Sequence, residues 1–65
     1  MKKHTVELIG LQKWLNGNYK TYAQATNPDK MLVCTLTGNL QVWLNGEVIW
    51  QGLQPSKAVE EYNKL

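Results

Sequence analysis

The one thiol and the one imidazole of this chain are Cys34 and His4. Together they are the only pair that could supply a reactive nucleophile with a base, and nucleophilic catalysis also needs a group to orient the base. Cys34 falls inside the apolar run Lys30-Met31-Leu32-Val33-Cys34-Thr35-Leu36. A thiol in such a run behaves as a small buried hydrophobe and is chemically inert. His4 is expected to be solvated. The carboxylates offer no better pair, because the neighbours Glu60 and Glu61 would point to different sides of a helix. Glu7, Glu47 and Asp29 stand singly. A structural zinc takes four Cys or His ligands, more than one Cys and one His can provide. The five glycines are spread singly, so no phosphate-cradling loop is encoded. The expectation is a protein that is not an enzyme and uses no metal or cofactor.

Binding chemistry is better represented. Trp14, Trp43, Trp50, Tyr19, Tyr22 and Tyr62 make six aromatic side chains, with no phenylalanine. Trp and Tyr combine apolar area with a polar handle and are favoured at interfaces. The formal net charge is +2, from seven lysines against five acids, and there is no arginine. Arginine is the favoured clamp for phosphate and guanine. Its absence, and the scatter of the lysines, count against a nucleic-acid footprint. If single strands were bound, Lys13 and Lys20 would flank Tyr19 and Tyr22, with bases stacked on the rings. A third alternative is a small ligand such as a nucleotide, held between tryptophans at a subunit boundary.

The element that must position these groups is Asn39–Trp50, which reads as a β-hairpin. Two β-rich arms flank Asn45-Gly46, the dipeptide suited to a type I′ turn. A plain two-residue turn pairs Leu44 with Glu47, Trp43 with Val48, Val42 with Ile49 and Gln41 with Trp50. Alternation then puts Trp43, Val48 and Trp50 on one face and Leu40, Val42 and Ile49 on the other. Both faces are apolar, whereas a hairpin open to water is apolar on one side only. One face should lie under a helix and the other should meet a partner.

The covering helix is legible at the C-terminus. Pro55 suits a first helical position and Ser56 an N-cap. Ala58, Tyr62 and Leu65, with Val59 beside them, form one apolar stripe, and Glu60 and Lys64 are spaced for an i,i+4 pair. The stretch 5–15 is ambiguous. Leu11-Gln12-Lys13-Trp14-Leu15-Asn16-Gly17 matches Leu40-Gln41-Val42-Trp43-Leu44-Asn45-Gly46 at six of seven positions, 29 residues apart. Either a hairpin unit is duplicated or a good turn entry is used twice. Both readings favour a strand before a turn at Asn16-Gly17, returning along Asn18–Ala25, with Trp14 beside Trp43 on the second face. A helix over 5–15, with Thr5 as N-cap, is the alternative. Asn27-Pro28-Asp29 suits a loop, and 30–36 a central strand.

The fold expected for 1–65 is thus a single α+β domain. It is a small antiparallel meander of four to five short strands with one C-terminal helix on one face, or else an N-terminal helix, a three-stranded sheet and a C-terminal helix. A 65-residue chain has a marginal core, and one cysteine allows no internal disulfide, so a partner subunit is the support left. Function is expected to be protein binding through Trp43, Val48, Trp50 and Trp14, as a homo-oligomer or on another protein. Met-Lys-Lys leads into no long apolar run, so neither a signal peptide nor a membrane span is expected, and the lone cysteine fits a reducing cytoplasm. Size alone associates the chain with accessory proteins of phages and mobile elements.

Overall fold

The computed structural model describes residues 4–15, 20–26 and 28–65. Its order is helix α1 (Leu8–Trp14), strands β1 (Thr21–Ala25), β2 (Lys30–Cys34), β3 (Leu40–Leu44) and β4 (Glu47–Gly52), then helix α2 (Pro55–Lys64). The strands form one sheet in the order β1-β2-β3-β4, antiparallel throughout. This is the α+β meander with a C-terminal helix, with a short helix in place of a strand at the N-terminal side.

Turn chemistry explains the meander. Asn45 and Gly46 both have positive φ, 51° and 84°, which a two-residue type I′ turn requires at both positions. The Asn45 N–H donates to the Asp29 carbonyl at 2.7 Å, tying this turn to the β1–β2 loop. Between β2 and β3, Gly38 takes φ 89° and the Thr35 hydroxyl accepts from the Asn39 N–H at 3.1 Å. The turn expected at Asn16-Gly17, and its continuation through Asn18 and Tyr19, lie outside the described residues.

Both helices sit on the same side of the sheet. Leu11, Leu32, Cys34, Leu40, Val42, Ala58 and Tyr62 form the buried core between the layers. Along β2 and β3 burial alternates, with Lys30, Leu32, Cys34, Leu40 and Val42 inside. In α2 the expected stripe is the packed one: Ala58 and Tyr62 are buried, with Val59 and Leu65 against them. Its N-cap is Gln54 rather than Ser56, with Pro55 at the first position. The outer face carries i,i+3 pairs, Lys64 with Glu61 at 3.0 Å and Lys57 with Glu60 at 3.7 Å, instead of Glu60 with Lys64.

Two placements differ from expectation, each for a physical reason. The first is α1. Leu8, Leu11 and Leu15 share a helical face, and Leu11 is buried in the core. Glu7, not Thr5, is the N-cap. Gly10 leaves room for a side chain of β1: a Cβ there would lie 2.7 Å from Tyr22 Oη. The second is the register of β4. A bulge between Val42 and Trp43 shifts the pairing, so Val42 faces Trp50 and Gln41 faces Gln51. Trp50 thereby joins the helix side and packs on the core, while Ile49 is left 44% exposed. The larger apolar side chain is the one partly buried, and a tryptophan carries roughly 150–250 Å² of surface to hide.

Gly52 makes room for that ring. A Cβ at 52 would stand 2.9 Å from Trp50 Cζ2, closer than real contacts allow. Gly52→Ala is therefore expected to cost about 1–3 kcal/mol through overpacking, read as a lower urea midpoint with unchanged slope. A variant as stable as the parent would mean that Trp50 is not seated there.

Candidate interaction surface

Opposite the helices, the sheet presents two rows of side chains. Pairing aligns Gln24, Met31, Trp43 and Val48 across the four strands, and beside them Thr21, Val33, Gln41 and Gln51. No charged residue stands among these eight. Met31, Val33 and Trp43 are half-buried by one another and Val48 is 39% exposed. No described element lies over them.

The polar groups of this face are linked to each other. Trp43 Nε1 donates to Gln41 Oε1 at 3.1 Å, and Gln41 Nε2 donates to Gln51 Oε1 at 3.4 Å. The indole N–H, costly to bury unpaired, is satisfied before anything docks. Four strands spaced about 4.8 Å and five residues rising about 3.3 Å each give a face of roughly 300 Å².

Of the residues singled out in the sequence, Trp43 and Val48 lie here as neighbours in one row. Trp50 is a correction, moved to the core side by the bulge. Trp14 is another: its ring meets Tyr22 at a centroid distance of 5.1 Å, tilted by 54°, between α1 and β1. The tryptophans are therefore not gathered into one aromatic cage. Tyr22, proposed as a stacking platform, is occupied by Trp14 and by the close approach of Gly10. Lys13 and Lys20 are exposed, but neither belongs to the open face. Tyr19 lies outside the described residues. An open depression on α1 is lined by Ile9, Gln12, Lys13 and Leu15 and by none of the tryptophans.

Sequence reasoning passed over a buried polar cluster on the other side. Lys30 is 1% exposed. Its Nζ donates to the carbonyl oxygens of His4 (2.6 Å), Leu65 (3.1 Å) and Tyr62 (3.2 Å), and sits 4.3 Å from the centroid of the Tyr62 ring. An ammonium has three N–H donors, and here three carbonyls receive them. Two of these carbonyls are at the C-terminal end of α2, where the helix dipole favours a cation. His4 is exposed, but its Nδ1 meets the Tyr62 hydroxyl at 2.7 Å. Asn63 grips the backbone of Val6 at both ends, accepting from its N–H (2.8 Å) and donating to its carbonyl (2.9 Å). The available signal was alternation: Lys30 shares a strand face with Leu32 and Cys34.

This cluster joins the N-terminal segment to α2 and β2. Burial pushes the Tyr62 hydroxyl above its ordinary value and does the same to the Cys34 thiol, which disfavours the nucleophilic thiolate. The Cys34 thiol donates to the adjacent Thr35 carbonyl at 3.6 Å, while the His4 ring is engaged with Tyr62. Among the described residues there is no group of three His, Cys, Asp or Glu that could hold a metal ion, and no helix long and apolar enough to cross a membrane. Compared with protein-family models, curated proteins and solved structures, the chain matches none.

Proposed function

We infer that this is a non-enzymatic interaction protein that docks on another protein through the open sheet face centred on Trp43. The observation that carries the reading is the composition of that face. Aromatic, methionine and aliphatic side chains sit at its centre with no charge among them, the pattern of an interface core. A surface meant for phosphate would carry cations, and this face offers glutamines instead. That lowers the nucleic-acid reading, as does the packed Tyr22 ring. The separation of the three tryptophans lowers the reading of a nucleotide held between them.

Trp43→Ala is expected to weaken binding of the protein partner by about tenfold or more, as buried aromatic anchors do. Because the ring is only half-buried, fold stability should fall by no more than about 2 kcal/mol. The measurement compares partner retention by parent and variant, with circular dichroism to check folding. Light scattering of the parent and retention of a single-stranded oligonucleotide at low salt run alongside. A monomer whose Trp43→Ala variant keeps every protein partner would sink the reading. Retention of the oligonucleotide, abolished by the same substitution, would replace it with the nucleic-acid one.

A further inference from the structure

We propose that the segment Leu11–Leu15 has two conformations, the helix α1 and a fifth strand along the free edge of β1, and that Lys13 decides between them. Three observations carry this, and none depends on the docking role of the open face.

The first is the repeat. Leu40-Gln41-Val42-Trp43-Leu44 differs from Leu11–Leu15 only at its third residue, and it is a strand of this same sheet. After Leu15 the chain reads Asn16-Gly17, the dipeptide that turns β3 into β4. Used in the same way, it sets Gln12 opposite Thr21 and Lys13 opposite Lys20. Thr21 stands in the open-face row with Val33, Gln41 and Gln51. Alternation then puts Gln12 and Trp14 on that face, with Leu11 and Leu15 on the helix side. In the helical form Leu11 is buried in the core and Leu15 packs against it. Both conformations therefore send the same two leucines to the same layer, while Trp14 exchanges the Tyr22 ring for the open face.

The second is how weakly the present arrangement is fixed. Helix α1 has seven residues, no side-chain hydrogen bond at its N-cap and one buried side chain, and helices this short are marginal by themselves. Strand β1 stands at the end of the sheet order, and among the described residues no strand lies along its outer side. An unpaired edge is a ready template for another strand. The bulge in β1 begins after Thr21, so it stays clear of the Lys13–Lys20 and Gln12–Thr21 pairs.

The third is Lys13 itself. In α1 it is exposed and in the last turn, where the helix dipole favours a cation. In the strand it would share the helix side with Leu11 and Leu15 and would face Lys20, a like-charge pair that opposes pairing. The equivalent residue of β3, Val42, is fully buried and uncharged. One side chain thus favours the helix and opposes the strand, and it keeps the strand the minor form.

The test is Lys13→Val in the full chain, which makes the two five-residue copies identical. The expected result is loss of the α1 share of the dichroism near 222 nm, seven residues against ten in α2. New Hα–Hα contacts between Gln12 and Thr21 should appear in nuclear Overhauser spectra. A helix that persists overturns the proposal, and so does a helix lost to coil without those contacts. Contacts found only with a doubled mass would make the strand a second copy's and overturn the switch within one chain. Lys20→Glu is the second variant; it changes an exposed residue outside α1 and turns the like-charge pair into an opposite one. It should raise the strand population several-fold, read as added relaxation dispersion at the Gln12 and Thr21 amides with strand-type carbon shifts in the minor form. Dispersion unchanged from the parent would overturn the role given to Lys13.

Discussion

Lys30→Ala is expected to leave a large share of molecules unfolded at 25 °C, a loss of roughly 3–5 kcal/mol from its buried stem and its charge-assisted hydrogen bonds together. Total stability for a domain of this size is of similar magnitude. The ammonium is the shared donor for the carbonyls of His4, Tyr62 and Leu65. Truncation leaves the buried Tyr62 oxygen without its donor and the part-buried His4 and Leu65 oxygens short of theirs, and it also removes the stem that fills the space beside Tyr62. Lys30→Met separates the two effects. It keeps an unbranched apolar stem and loses the charge, so it should cost less than the alanine change, about 2–3 kcal/mol, near the value of hydrogen bonds to a charged group. Urea denaturation followed by far-ultraviolet dichroism measures both. If Lys30→Met matched the parent, the buried ammonium would contribute nothing and only its stem would matter.

Leu11→Ala is expected to cost about 2–5 kcal/mol, the range for deleting a buried leucine. It should act first on α1. Seven residues are too few for a helix to stand alone, its N-cap makes no side-chain hydrogen bond, and Leu11 is its one buried residue. With Leu11 gone, α1 keeps the Trp14 ring against Tyr22, Leu15 against the core and its contacts with α2. Dichroism near 222 nm should therefore fall in the folded baseline before the main transition, while the β1–β4 amides keep their dispersion. An intact helical signal in a destabilised variant would show that α1 is held by more than this one side chain.

The two copies of Leu-Gln-x-Trp-Leu show how far local sequence reaches. Leu11–Leu15 belongs to a helix and its end, and Leu40–Leu44 is a strand, although four of five residues are the same. The leading leucine is buried in both, at 0% and 2% exposure. What differs is context. Val42 stands where the other copy has Lys13, and a β-branched residue favours the strand. Leu40 also follows a glycine turn that feeds it beside β2. The hairpin turn, the central strand and the stripe of α2 were all legible because each follows from residues close in sequence. The side on which Trp50 falls was not. One extra residue inverts the parity of every later position, and nothing near Ile49 marks the bulge. The role of Lys30 was hidden for a related reason, since its acceptors lie 26, 32 and 35 residues away. Of the candidate docking residues, Trp43 and Val48 sit on the turn side of the bulge, where simple alternation still holds.

The clasp between Asn63 and Val6 spans 57 residues, and that between Tyr62 and His4 spans 58. Every strand pairing, by contrast, joins neighbours across a short turn. Closing a long loop costs more entropy than closing a hairpin, so the meander can assemble early and the N-terminal strap should be the last part to seat. Interactions absent from the folding transition state set the rate of unfolding rather than that of folding. The strap is then a latch on the lifetime of the fold. Asn63→Ala should leave the refolding rate nearly unchanged and raise the unfolding rate several-fold, a partition that stopped-flow traces would expose. A slowed refolding limb would instead place strap and sheet in one nucleus.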